Sequence, residues 1–498
     1  MASGIFDRIK KMANWKKNLL AIAVGVLLVL LLELLLWAIK FHRPICEFDP
    51  YLSFKESVPV LVTAEYTNEK WLTLNPRLKA YFNPIAFRKD KPPGLRRIFV
   101  LGESATLGFP FGDPGSYAWF MKLGLDQVDP DHQYQVINLG AFGFASYRIL
   151  RVFREILNYQ PDLITVMTGQ NEFLEKREYS ASPKLIRVQE KLSRFRIYCL
   201  LKAIWLKFQP AKERKLLGAD VKWEKLSADL ETRSRVIEHF RFNIDEMIKL
   251  ASDNKIPLLL LTCPSNLKDF PPYHSLHGKD LSSSELQSWQ KEFDRAEKLI
   301  KENKCAEAIP VLEKLVEMDP EYAESWYLLG QCLSEQKKSG EANSAFIKAL
   351  EEDAWQVRAL PEFNAILRAA GKEKAEVLDL SRIFSEQSPG GIPGDNLFYD
   401  HCHPKIEAQA LIAKEILQKL DQDQWLELPE GWESIFDETA KTYLNSQPNS
   451  FFAQADYNLA IEIGLNMGLK DLGKKYLDLG LKIAPEDAKL LKAAEILK

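Results

Sequence analysis

The apolar positions of this chain fall into three patterns. The first is unbroken: LLAIAVGVLLVLLLELLLWAI, Leu19 to Ile39, carries one charge, Glu33. About 20 apolar residues cross a bilayer as a helix, and a secretory h-region is shorter, roughly 7–15 residues, with a small-residue cleavage site behind it. Here Lys40, Phe41 and His42 follow. An uncleaved single-pass anchor over 18–40 is expected, with a cleaved signal peptide as the alternative. The second pattern is a set of short buried-type runs: RIFVLG (97–102), YQVINLG (134–140), DLITVMTG (162–169), IPLLLLTCP (256–264) and AEVLDLS (375–381). Between them lie stretches with apolar residues at helical spacing, such as SYRILRVFREILNYQ (146–160), which Pro161 stops. Short apolar runs alternating with helices predict a parallel sheet with crossover helices, an α/β doubly wound fold. Such sheets bind ligands beyond the carboxyl ends of their strands.

The third pattern is a repeat. AEKLIKENKCAEAIPVLEKLVEMDPE (296–321) aligns with GQCLSEQKKSGEANSAFIKALEEDAW (330–355) at a shift of 34. Ala296 pairs with Gly330, Leu299 with Leu333, Ala308 with Ala342, Leu312 with Phe346 and Leu315 with Ala349. A period of 34 with small residues at these offsets resembles the tetratricopeptide repeat, whose paired helices approach closely. A degenerate third copy stands in the last 50 residues: Tyr457, Gly473, Leu477, Gly480 and Pro485. One isolated pair cannot bury its own faces, and the C-terminal helices are the expected surface for it.

Together these patterns divide the chain. Residues 1–17 form a cytoplasmic tail, 18–40 the anchor and 41–94 a juxtamembrane segment. The first part of the α/β domain covers 95–282. A repeat insertion follows over 284–360, the last part of the α/β domain over 366–425, and a C-terminal helical region over 426–498. The stretch of about 174–250 interrupts the alternation. It is helical and basic, and LSRFRIYCLLKAIWLKF (192–208) mixes Arg and Lys with large apolar residues. Its two readings are a helical lid on the α/β domain and a helix lying on a membrane surface.

Composition adds limits. The chain has 498 residues, 46% hydrophobic and 27% charged, which is ordinary for globular domains. A net charge of −3 gives no support for a nucleic-acid partner. Six scattered cysteines, with no CxxC, indicate neither a zinc module nor a disulfide framework, and all six can be free thiols. Arg8, Lys10, Lys11, Lys16 and Lys17 precede the anchor; Lys40 and Arg43 follow it. The positive-inside bias puts the N-terminus in the cytoplasm and the rest across the inner membrane. Glu33 is costly within a span and suggests a partner helix, a protonated state or a position near the interface.

The candidate chemistry sits at the strand ends. GESATLG places Ser104 in a strand-to-helix turn, NLGAFGFAS holds Gly140 and Gly143, and GQNE holds Asn171. Far downstream, FYDHCHP (398–404) holds Asp400, His401, Cys402 and His403. Alone, that last stretch suits a metal site, a redox thiol or an acid–base pair. With the other three blocks in this order, the chain resembles the SGNH (GDSL-type) hydrolases over about 95–282 and 370–420. The resemblance implies a flavodoxin-like sheet, Ser104 as nucleophile, His403 as its base and Asp400 as the group that orients the imidazole. It implies an oxyanion hole from the Ser104 and Gly143 N–H groups and the Asn171 amide, with no metal and no cofactor. Two departures stand out: Glu103 replaces the Asp of the family's GDS, and Glu172 ends a block that usually reads GxND.

The resemblance implies a membrane-anchored esterase acting on an O-acyl or acetyl ester of an envelope glycan or lipid. An O-acyltransferase using the same residues is the first alternative. A non-catalytic scaffold is the second. The repeats imply a protein partner.

Overall fold

The computed structural model describes residues 14–39, 59–66, 69–174, 188, 192, 195–207, 230–278, 281–373 and 375–497. Most of the expected tail, the start of the juxtamembrane segment and much of the stretch of 174–250 lie outside these residues.

The chain divides into two compact units, residues 1–58 with 180–215, and residues 59–179 with 216–498. In the first unit, α1 (Asn14–Ala38) is a 25-residue helix that contains the apolar run. Its described side chains are exposed almost throughout, apart from Leu36, which is buried. It is long and apolar enough to cross a membrane. The other helix of this unit, Arg196–Lys207, packs on α1.

In the second unit a small antiparallel sheet comes first: β1 (Leu61–Tyr66), β2 (Glu69–Leu74) and β3 (Ala86–Arg88). The main sheet follows with β4 (Leu95–Gly102), β5 (Gln133–Gly140), β6 (Leu163–Met167), β7 (Leu258–Leu261) and β8 (Glu376–Leu378). All its pairs are parallel, in the order β5-β4-β6-β7-β8. This is the 2-1-3-4-5 order of flavodoxin-like sheets, and the switch point lies between β4 and β6. Each of the five apolar runs is one strand. β6 and β7 are buried at every position, as strands covered on both faces must be. Arg97, fully buried, donates to the carbonyls of Arg88 and Tyr159 and joins the small sheet to the large one.

The stretch expected as a lid is not one element. Residues 230–254 are the crossover helix between β6 and β7. That helix buries Val236, Phe240, Ile244 and Met247, and it packs on the helices Ser146–Ile156 and Pro361–Glu373. Helix 196–207 belongs instead to the unit that contains α1. Helical periodicity is the same for a crossover and a lid, so the pattern alone did not separate them.

The repeat insertion forms two hairpins, from Ser283–Lys301 with Cys305–Met318 and from Ala323–Glu335 with Ser339–Glu351. The ring of Phe346 lies where a Cβ on Gly330 would sit, 2.8 Å away. The insertion does not use the C-terminal helices as its support. Its apolar cluster takes in Leu267 and Ile392 from loops of the α/β domain. The Tyr327 hydroxyl donates to the Lys268 carbonyl at 2.9 Å, and Ala354 N–H donates to the His274 carbonyl. The C-terminal helices form a separate cluster of their own.

Candidate active site

β4 ends at Gly102, where a Cβ would lie 2.0 Å from Thr106 Oγ1, so the chain can turn sharply there only without a side chain. A one-turn helix, Ser104–Leu107, starts at once. The turn is braced by Glu103. Its buried carboxylate accepts from Thr168 Oγ1 and from the N–H groups of Gly169 and Gln170, at 2.7–2.9 Å. Burial, reinforced by nearby Glu172, pushes Glu103 up to about 8 despite these three donors. Glu172 itself accepts from the N–H and hydroxyl of Ser146, at the start of helix Ser146–Ile156. Both departures from the family pattern therefore have structural partners. The Glu103 carboxylate ties the turn after β4 to the loop after β6.

Ser104 Oγ lies 2.7 Å from His403 Nε2, and His403 Nδ1 lies 2.6 Å from Asp400 Oδ2. The other Asp400 oxygen accepts from the N–H groups of Cys402 and His403, each at 2.9 Å. Burial works against the Asp400 charge, but the imidazoles of His403 and His401 and these donors outweigh it. They hold the carboxyl well below the usual carboxylate range. An ionised Asp400 is an acceptor for an Nδ1–H of His403, and in that tautomer Nε2 faces Ser104 Oγ as an acceptor. All three side chains are buried.

Gly143 and Asn171 follow β5 and β6, the two strands that flank β4. That order puts their loops on either side of the Ser104 turn. Gly143 stands at φ +70° with open space where a Cβ would point. The Asn171 amide donates one hydrogen to the Phe144 carbonyl at 3.0 Å, which ties the two loops together. An amide nitrogen has a second hydrogen to offer.

The ligand atoms of Asp400, His401, Cys402 and His403 lie within 4.8 Å of one another. A metal ion held by His403 would take the place of one of its two hydrogen bonds, the Nδ1 bond to Asp400 or the Nε2 bond to Ser104. His401 is buried, which lowers it to about 4, so its ring is neutral at pH 7. Burial pushes the Cys402 thiol well above its ordinary range, so it is not a reactive thiolate.

The sequence did not reveal what lies over this site. The C-terminal helices Asn449–Leu459 and Lys470–Ile483, with the π-helical turn 460–466 between them, pack on Phe109 and Tyr399. The Phe109 ring is 4.6 Å from the His403 ring. Asn458 donates to the Pro110 carbonyl at 2.8 Å, and the Tyr476 hydroxyl donates to the Tyr399 carbonyl. Tyr399 N–H in turn donates to the His403 carbonyl at 2.9 Å. Glu462, on the π-helical turn, is raised by burial, and its carboxylate accepts from the Asn466 amide at 2.6 Å. π-Helical turns often mark functional positions, but nothing in the local sequence announces this one. A cleft of about 310 Å³ lies between Pro110–Phe111 and the start of helix Asn449–Leu459, lined by Pro448, Phe451 and Gln454 among others.

Comparison with known proteins gives two kinds of likeness. The tetratricopeptide repeat family matches residues 299–360. Among solved structures, the chain is similar to a GDSL-like lipase from Bacteroides thetaiotaomicron, at 13% identity and a TM-score of 0.30, covering 68% of this chain and 93% of that one. It is similar to a lipase/acylhydrolase from Enterococcus faecalis, at 14% identity and a TM-score of 0.29, covering 66% and 96%. A third is an acetylxylan esterase from Geobacillus stearothermophilus, at 11% identity and a TM-score of 0.27, covering 67% and 96%. No curated protein matches the sequence.

Proposed function

We propose that this chain is a membrane-anchored ester hydrolase of the SGNH (GDSL) type, working on an O-acyl or acetyl ester of an envelope glycan or lipid. The observation that carries this reading is the hydrogen-bonded run from Ser104 through His403 to Asp400, 2.7 and 2.6 Å long, at the switch point of the sheet. In this reading His403 Nε2 takes the Ser104 proton as Oγ attacks the ester carbonyl. The developing oxyanion meets the N–H groups of Ser104 and Gly143 and the second Asn171 hydrogen. His403 then returns the proton to the leaving alcohol. Water attacks the acyl-enzyme by the reverse sequence.

Acyl transfer to a sugar hydroxyl is the second reading. It is favoured by the burial of Ser104, which is 6% exposed beneath the C-terminal helices, because a site closed to bulk water spares the acyl-enzyme for another acceptor. In both readings the apolar helix α1 holds the protein in the inner membrane, with the sites on the extracytoplasmic side and the repeats presented to a protein partner.

The test is labelling of the full chain in detergent with a fluorophosphonate, beside Ser104→Ala and His403→Ala. Labelling of the parent that is lost in both variants is expected. A folded parent that does not label overturns the reading. Product analysis with an acetylated glycan, with and without an added acceptor, separates hydrolysis from transfer.

A further inference from the structure

The first unit contains an arrangement that the ester chemistry does not use. Glu33 is the one charge within the apolar run, and a carboxylate there is costly unless it finds partners. Its partners are on the helix Arg196–Lys207, here α2. Glu33 Oε1 accepts from Arg196 N–H at 2.8 Å, and Oε2 accepts from Ile197 N–H at 2.9 Å. The Arg196 guanidinium stands 3.7 Å away. These are the unpaired donors at the positive end of a helix, the groups that best hold a negative charge. Leu36, one turn further along α1, is 5% exposed, while Leu34, Leu35 and Trp37 around it are 57–62% exposed. The face of α1 that carries Glu33 and Leu36 is thus the covered face.

Glu33 lies five residues before the end of α1 at Ala38, or about 7.5 Å along the axis. If α1 spans a bilayer, the start of α2 sits inside the hydrocarbon boundary. The outward residues of α2 suit that depth: Leu201 is 60% and Ile204 47% exposed, and Phe195, just before the helix, is 50% exposed. Arg196, Lys202 and Lys207 complete the basic–apolar mixture of interfacial helices. Exposed apolar residues on two adjoining helices would be costly in water.

We propose that α2 is a second membrane element, docked by its N-terminus on Glu33 of the anchor, with Leu201 and Ile204 facing lipid. This rests on the reading of α1 as a span. It assigns Glu33 a purpose, since the carboxylate joins the span to a segment more than 150 residues away. It also gives α1 a structural role that a cleaved leader would not have.

The test places benzoylphenylalanine, a photocrosslinker, at Leu28, Leu201 or Ile204 in the full chain. The protein is reconstituted in phosphatidylcholine–phosphatidylglycerol vesicles, and lipid adducts are read by mass spectrometry. Lipid adducts at all three positions are expected. In Glu33→Leu, adducts at 201 and 204 should fall severalfold while those at 28 persist. Adducts at 28 alone, or protein–protein crosslinks at 201 and 204 in place of lipid, overturn the proposal and leave the anchor standing. An unchanged yield at 201 in Glu33→Leu overturns the docking. Absence of adducts at 28 overturns the anchor, and the proposal with it.

Discussion

Two regions of this molecule are built from the same kind of helical hairpin and are used differently. The inserted repeat, 283–351, rests on the loops around Leu267 and Ile392. The C-terminal helices rest on Phe109 and Tyr399, the neighbours of Ser104 and His403 in sequence and in space. Both regions rely on glycine for close approach. A Cβ on Gly330 would meet Phe346 at 2.8 Å, and one on Gly473 would meet Gly464 Cα at 2.4 Å. Hairpin sequence therefore governs internal packing and says little about which surface the hairpin covers. One set of helices packs on the loops around Leu267 and Ile392, and the other on Phe109 and Tyr399.

The largest effect concerns the hydrogen-bonded run from Ser104 to Asp400. His403→Ala should lower ester turnover by roughly 10⁴-fold or more, and Asp400→Asn by about as much, because the His403 tautomer is then no longer dictated. Steady-state kinetics on an activated acetyl ester measures this. A loss under tenfold in either variant would remove that residue from the reaction.

pH comes next. Glu103 is raised from 4.5 to about 8, so the folded state binds the extra proton between those values. Its contribution is complete below pH 4.5 and is lost as pH rises toward 8, with a slope of at most about 1.4 kcal/mol per unit. The urea midpoint of the parent should fall over that range, and Glu103→Gln should flatten the fall.

A glycine pair separates the two sets of helices. Gly473→Val and Gly330→Val should each cost about 1–3 kcal/mol from overpacking. Only Gly473→Val should also reduce kcat, since it shifts helices that press on Phe109 and Tyr399. Equal kcat losses in the two variants would erase the distinction drawn above. The smallest effect comes from a matched pair of hydroxyls. Tyr476→Phe and Tyr327→Phe each remove one hydrogen bond to a loop carbonyl, worth about 1 kcal/mol. Melting temperatures should drop by similar amounts, and turnover should change only in Tyr476→Phe, by a few fold.

Much of this was legible before any coordinates. Five apolar runs became five parallel strands, because a run buried on both faces carries its own signature. The period of 34 identified the inserted hairpins, whose small residues are needed wherever two helices touch. Ser104, Asp400 and His403 were singled out from residue type and order, and the fold brings them within hydrogen-bonding reach across 299 residues of chain.

Other features depended on the fold. The crossover helix 230–254 has the same periodicity as a lid, and only its packing between neighbouring helices tells them apart. Glu103 and Glu172 looked like departures from a pattern, and only the loops that meet at the carboxyl edge show what they bind. The sequence by itself determined the local terms: which segments are apolar enough to be buried, where the chain must turn, and which side chains carry acid, base and hydroxyl. Tertiary structure alone decided which surfaces those segments cover, Phe109 and Tyr399 under the C-terminal helices and Glu33 against a distant helix end. The reason is physical. Burial and helix capping are rewarded by any complementary surface, so periodicity specifies that a face must be covered, while the partner is selected by the packing of the whole chain.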